Sequence, residues 1–340
     1  MSSSNKTITL AHGSGGSAMQ QLIDQLFINA FDNPFLEERE DQARLPLSGL
    51  TAQGDRLAFS TDSYVIDPIF FPGGDIGKIA VCGTVNDLVV GGAIPKYLSC
   101  GFILEESFPL GQLERIVSSM AETARAAGVQ IVTGDTKVVP HGAADKVFIN
   151  TAGIGVIPTA IRWGIASIKA GDRIIVSGTL GDHGATILNL REHLGLEADL
   201  MSDCAVLTPL IDAIRDIDGV RTVRDATRGG VNAVMHEFSQ GSSLGVELEE
   251  KTIPMHSAVR GTCELLGLDP LNFANEGKLV LAVAPEAEAP VLNALRSHPL
   301  GKNATTIGTM NESQRVTLRG IYGVSRMLDL PMNEPLPRIC

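Results

Sequence analysis

Aromatic side chains are scarce in this chain. Phe, Tyr and Trp make up 4% of 340 residues, with a single tryptophan. Stacking platforms for nucleic-acid bases are built from such rings, so that mode of binding is disfavoured. Positive charge is also short: 27 Lys and Arg stand against 39 Asp and Glu, a net charge of −12. No basic surplus exists to neutralise phosphates, which again argues against nucleic-acid partners. No apolar run is long enough to span a membrane, and the opening MSSSNKTITL lacks the apolar segment of a secretory signal. The five cysteines, Cys82, Cys100, Cys204, Cys263 and Cys340, are odd in number and widely spaced, with no C-x-x-C. A disulfide framework or structural zinc site is therefore not expected, and a reducing cytoplasm is.

Against these absences stand 36 glycines and a hydrophobic content of 44%, enough for well-formed cores joined by tight turns. Two domains are expected from the length. Residues 1–45 hold a glycine-rich run, an apolar-periodic helix (Met19, Leu22, Ile23, Leu26, Phe27) and an acidic loop. An N-terminal unit follows over 46–160, with strands at 57–61, 96–104, 130–133 and 147–157 and helices at 76–90 and 113–127, the latter stopped by Gly128. The pattern restarts near Pro158 and fills 161–330. Strands are expected there at 173–177, 220–224, 279–284 and 315–318, and helices at 182–194, 206–217, 231–239 and 257–266.

The remaining residues, 331–340, form a tail reading PMNEPLPRIC. Three prolines remove backbone donors and fix φ, so neither helix nor central strand fits. An extended, flexible arm is expected, reaching about 30 Å at roughly 3.3 Å per residue. A thiol carried on such an arm, Cys340, can travel between a donor and a catalytic pocket. Arg338 is the neighbour expected to favour its thiolate.

Three further constellations carry chemistry. His12-Gly13-Ser14-Gly15-Gly16 is a glycine-rich turn before a helix, suited to cradling an anion. It has neither the Gly-Lys-Ser/Thr ending of a Walker A loop nor the strand that precedes a dinucleotide fingerprint. Asp62, Asp135 and Asp225 each follow an expected strand, and Asp87 follows Asn86 on a glycine-rich helix. One such aspartate would usually cap a helix or turn. Four in similar settings, repelling one another, point to Mg²⁺ shared with nucleotide phosphates. Lys137, Glu276 and Arg228 complete the set as a phosphate-neutralising cation, a candidate base and a guanidinium beside a glycine-opened helix start. Asp182-His183-Gly184 reads as an ordinary helix start.

The combination AHGSGG, FSTDSYV, VNDL, TGDTKV, RDATRGG, NEGKL and PRIC closely resembles the HypE family of hydrogenase maturation factors, the carbamoyl dehydratases. The ATP-handling part is similar to aminoimidazole ribonucleotide synthetase, selenophosphate synthetase and thiamine-monophosphate kinase. The resemblance implies a mixed α/β fold of two domains, a homodimer formed around a central barrel, and ATP with Mg²⁺ as cofactors. It implies that HypF loads a carbamoyl group onto Cys340, that ATP-driven dehydration turns it into a thiocyanate, and that the cyanide goes to iron on a HypC–HypD complex. Cys340, Glu276 and Lys137 are then the catalytic residues. His12, Gly13, Ser14, Gly15, Gly16, Asn86, Gly134, Thr136 and Arg228 hold nucleotide, and Asp62, Asp87, Asp135 and Asp225 hold both nucleotide and metal. A selenophosphate synthetase would carry a reactive residue in the N-terminal glycine segment, yet no cysteine precedes Cys82. A phosphotransferase of the same superfamily and a nucleotide-binding scaffold with a tethering thiol are the remaining alternatives.

Overall fold

The computed structural model describes residues 6–195, 200–331, 336 and 338–340. Its first sheet contains β1 (Arg56–Tyr64), β2 (Ile94–Glu105), β3 (Gln130–Val139) and β4 (Val147–Ile157), in the order β1-β4-β2-β3. Only β2 and β3 run parallel, joined by a helix at Leu110–Ala127. Gly128 ends that helix in the left-handed conformation, as expected of the residue after a helix C-terminus.

A second long helix of this unit, α1 (Ile76–Val90), is buried nearly all round. Asp75 caps it by accepting from the Gly77 and Lys78 amides at 2.7 and 3.0 Å. A helix without a polar face must be covered on every side. One side of α1 packs on β1 and β4, and the other meets the second unit at Thr208–Ile214 and Val220–Asp225.

The second unit contains β5 (Arg173–Val176), β6 (Val220–Asp225), β7 (Gly245–Glu249), β8 (Leu279–Val283), β9 (Thr305–Asn311), β10 (Val316–Arg319) and β11 (Ser325–Met327). These form one sheet in the order β11-β10-β7-β9-β5-β8-β6, antiparallel except for β7 and β10. Strand β8, between β5 and the edge strand β6, is buried at every residue.

Several expectations change. β3 runs to Val139 instead of stopping at Thr133, and β1 runs to Tyr64 instead of Thr61. Asp135 and Lys137 therefore lie inside a strand, as does Asp62, while Asp225 is a strand's last residue. β7, β9, β11 and a helix at Glu288–Arg296 were not expected from the sequence. The tail is also not a free arm at its described end. Residues 332–335 and 337 lie outside the described residues, but Leu336 and Ile339 are buried in the main core. Two large apolar side chains on a proline-rich segment gain more from burial than from solvent.

Candidate active site

Side chains alternate faces along a strand, so the register decides which of the predicted site residues can meet. Asp62 pairs with Thr151, whose hydroxyl donates to the Ala80 carbonyl of α1 at 2.9 Å. Asp62 is thus on the helix-covered face. Asp135 pairs with Gly101, and Gly101 with Asn150, on the opposite face. There Asp135 and Lys137 form an exposed ion pair at 2.9 Å. The single chain therefore divides the predicted residues into two groups.

The first group surrounds the tail. Asp62 and Asp87 share a hydrogen bond, and Asp87 accepts from Ser60 Oγ at 2.5 Å. Burial, then Asp87, raises Asp62 to about 6. Burial, then Asp87 and Asp62, raises Asp225 to about 7. Glu276 is 3% exposed, and its Oε1 has no hydrogen-bond partner. Burial, with Asp203, Asp225, Cys82 and Asp62 adding repulsion, raises its pKa well above the usual carboxylate range. Cys340 is half-buried beside Glu276, Arg228 and Asp62. Burial first and Glu276 second push its thiol up to about 12, while Arg228 opposes them through charge and a hydrogen bond. The guanidinium at the sulfur is therefore Arg228. Arg338 is engaged elsewhere, donating to the Val65 carbonyl at 2.8 Å and to Asp145 at 2.5 Å.

Glu276 is held by a short segment that the sequence did not mark. Asp203 accepts the Glu276 amide at 3.0 Å and pairs with Lys278 at 3.0 Å, and Ala205 N–H donates to the Glu276 carbonyl. The backbones are so close that a Cβ on Gly277 would sit 2.0 Å from the Asp203 carbonyl oxygen. Asn275 reinforces the turn by accepting from Gly181 N and donating to the Ala226 and Phe273 carbonyls. Asn86, expected at the nucleotide, spends both side-chain atoms on this segment, donating to Ala205 O and accepting from Leu207 N. These two bonds tie the second unit to α1.

The tail's backbone is bound as well. Val65 N–H donates to the Cys340 oxygen at 3.0 Å, Arg191 donates to the Arg338 carbonyl, and His183 contacts the Ile339 carbonyl at 2.8 Å. His183 is fully buried, so Asp182-His183-Gly184 is more than a helix start. Sequence spacing carries no signal for the partners of His183, because they lie far away in the chain.

The second group lies along β3. Gly13 approaches Val138 so closely that a Cβ would meet its amide nitrogen at 2.9 Å. His12 binds back to Thr9, and Ser14 Oγ donates to Ala11 O. Gly15 has φ +80 with open space around it, and Gly16 is also open. Gly134 faces inward, where a Cβ would strike the Cys100 carbonyl at 2.3 Å, and Thr136 is buried. Only Asp135 and Lys137 of this strand present charge to the open face. Among the described residues, no three or more Asp, Glu, His or Cys side chains form a group fit to hold a metal unaided.

Comparison with known proteins gives the family. Residues 39–157 match the N-terminal domain of AIR synthase related protein, and residues 169–321 match its C-terminal domain. The chain is 68% identical over 333 residues to carbamoyl dehydratase HypE of Escherichia coli (strain K12), covering 98% of this chain and 99% of that relative. A crystal structure of the hydrogenase maturation protein HypE in complex with ATP superposes with a TM-score of 0.92 at 44% identity, covering 98% of this chain and 100% of the other. A crystal structure of a HypE–HypF complex matches with a TM-score of 0.80 at 44% identity, covering 91% of this chain and 99% of the other. With its two matched domains and near-full-length identity, the chain belongs to the carbamoyl dehydratase HypE family.

Proposed function

We propose that this carbamoyl dehydratase acts on a carbamoyl group carried by its own Cys340 sulfur, converting it to a thiocyanate at the expense of ATP. The observation that carries the reading is the position of Cys340, docked beside Glu276, Arg228 and Asp62. A carbamoyl oxygen is a poor leaving group. Transfer of the γ-phosphoryl group to that oxygen makes it a good one and releases ADP. One N–H proton is removed as the C=N bond forms. The C–O bond then breaks, the second proton leaves with phosphate, and S–C≡N remains.

Glu276 is the proton acceptor in this scheme. Burial first, then repulsion from Asp203 and Asp225, raises its pKa well above the usual carboxylate range in the free chain, and arriving cations would offset that repulsion. Once ionised, a carboxylate of raised pKa is a stronger base than an ordinary one. Arg228 stabilises negative charge on the sulfur and on the transferring phosphoryl group.

The cluster fits Mg²⁺. Asp62, Asp87 and Asp225 are hard oxygen donors; burial and then their mutual repulsion raise the pKa of Asp62 and Asp225, and a cation would relieve the repulsion. Phosphate oxygens would complete the coordination. Bound there, Mg²⁺ would supply charge neutralisation for the triphosphate.

The open face of the first sheet supports a homodimer. Phe59 and Ile103 stand 70% and 43% exposed on the face that carries Asp135 and Lys137. Apolar side chains on an otherwise open sheet face suit burial by a second copy. In such a dimer Lys137 of one copy serves the Cys340 site of the other. A HypF-type carbamoyltransferase is the proposed donor, in keeping with the relative crystallised with HypF. A HypC–HypD-type complex is the proposed acceptor, and the cytoplasm the proposed compartment.

Intact-mass spectrometry tests the reading. Adding MgATP to the carbamoylated protein is expected to remove the mass of one water. Cys340→Ala is expected to bind ATP with unchanged affinity and form no cyano adduct. ATP turnover indifferent to the state of Cys340 would favour a scaffold or another phosphotransferase.

A further inference from the structure

His183 is among the buried titratable groups that the mechanism above leaves unused. His183 is wholly enclosed near the start of a helix at Asp182–Arg191, with its ring edge-on to Phe71 at 5.5 Å between centroids. Both ring nitrogens are engaged. Nε2 lies 2.8 Å from the Ile339 carbonyl oxygen, and Nδ1 lies 2.8 Å from Ser202 Oγ. A carbonyl oxygen only accepts, so Nε2 carries the proton. Burial lowers the ring's pKa below its ordinary value of 6.5, which keeps the ring neutral and Nδ1 an acceptor. Ser202 therefore donates its hydroxyl proton to Nδ1, while its oxygen accepts from the Cys204 amide at 3.1 Å. The result is a directed chain from Cys204 N–H through Ser202 and His183 to the Ile339 carbonyl.

The receiving end of that chain matters. The Ile339 carbonyl carbon is bonded to the Cys340 nitrogen, so fixing this peptide fixes the origin of the cysteine side chain. The donating end belongs to the segment whose next residues, Asp203 and Ala205, hold the Glu276 backbone. One short segment thus sets both the base and the peptide that carries the sulfur. The charged and titratable groups around His183 are Asp203 and Arg191, and Arg191 also binds the tail.

We infer that His183, oriented by Ser202, is a positioning residue that holds the Ile339–Cys340 peptide and so sets the sulfur against Glu276. It does not touch the reacting atoms. Other contacts of the described tail include the Val65 amide, the Arg191 guanidinium, the bonds of Arg338 to Val65 and Asp145, Arg228 at the sulfur, and the buried Leu336 and Ile339 side chains. His183 is the contact whose partner, Ser202, sits on the Glu276-holding segment. Its effect on chemistry rests on the function proposed above, whereas the docking contact stands without it.

The test has two arms. In the first, the full-length protein is treated with iodoacetamide, and alkylation of Cys340 is followed by peptide mass spectrometry. The other four cysteines are buried and report on folding. His183→Ala is expected to alkylate Cys340 roughly fivefold to tenfold faster, the loss of one buried hydrogen bond. His183→Gln, whose amide can still donate to a carbonyl, should stay near the parent rate. An unchanged rate in His183→Ala would overturn the docking contact. If that variant labels all five cysteines and is therefore unfolded, Ser202→Ala decides: faster alkylation of Cys340 alone supports the inference, and the parent rate overturns it.

In the second arm the carbamoylated protein is mixed with saturating MgATP and loss of water is timed. His183→Ala should lower the maximal rate, leave KM for ATP unchanged and be rescued by Gln. An unchanged maximal rate, or a change in KM alone, would overturn positioning. Failure of the parent protein to lose water would sink the proposed function instead, and the alkylation arm would still report on docking.

Discussion

At the scale of the residue, the site is governed by the burial of carboxyls and, second, by repulsion among them. Glu276 is surrounded by Asp203, Asp225 and Asp62, and its Oε1 has no partner. Leaving a buried polar atom unpaired costs about 1–3 kcal/mol, so its retention calls for a reason. A base awaiting a substrate proton is one. Glu276→Gln keeps the shape and removes the proton-accepting oxygen. ATP affinity is expected to hold, while single-turnover loss of water slows by roughly 100-fold or more, the usual worth of a positioned base. Dehydration as fast as the parent's would place the base elsewhere. The pH dependence carries the same sign: if Glu276 is the base, activity depends on its ionised form, so the acidic limb should lie above the ordinary carboxylate range. Asp203→Asn removes the strongest repelling charge and should move that limb to lower pH.

Much of this residue chemistry is legible in the sequence. NEGKL, RDATRGG and the terminal cysteine point to Glu276, Arg228 and Cys340, and the structure brings those three together. Arg338 is misjudged because adjacency in sequence says nothing about direction, and its side chain turns to Asp145. His183, Ser202 and Asp203 are invisible because their importance lies in partners far along the chain.

At the scale of the element, a strand's length decides what a motif means. TGDTKV reads as a strand followed by a loop because Gly134 suggests a stop. The strand continues, since Gly134 is required by close approach to Cys100 rather than by a turn. Alternation then sends Asp135 and Lys137 to the open face, away from Asp62. A second consequence concerns the turn that carries Glu276. Any side chain at Gly277 would strike the Asp203 carbonyl. Gly277→Ala is expected to destabilise the protein by about 1–3 kcal/mol, as overpacking does. It should slow dehydration more than it weakens ATP binding. A denaturant midpoint equal to the parent's would show that the segment has room to move.

At the scale of the whole molecule, the carboxyl cluster couples stability to pH. Asp62 is raised to about 6 and Asp225 to about 7 from 3.8. A carboxyl raised in the folded state stabilises fully below its unfolded value, and that contribution is lost as pH rises through the folded value. The free chain should therefore lose thermal stability between about pH 4 and pH 7 through these groups. If MgATP binds the ionised cluster, as proposed, it should raise the melting temperature more at pH 8 than at pH 5. Equal shifts at both pH values, measured by calorimetry, would argue against metal at these aspartates.

The division of the site between two faces of one sheet leads to the strongest test of assembly. If Lys137 served its own copy's Cys340, the residue would have to act from the face opposite Asp62. If it serves the other copy, a symmetric dimer satisfies both faces at once. Cys340→Ala and Lys137→Ala homodimers should each fail to make thiocyanate. Mixed by co-expression, half of the dimers are heterodimers. In each of these the intact Cys340 lies on the Lys137→Ala copy and meets the intact Lys137 of its partner. About a quarter of all sites should then regain activity, as random pairing in a twofold dimer requires. Silence of the mixture, with heterodimers verified by native mass spectrometry, would confine Lys137 to its own copy and remove the shared site.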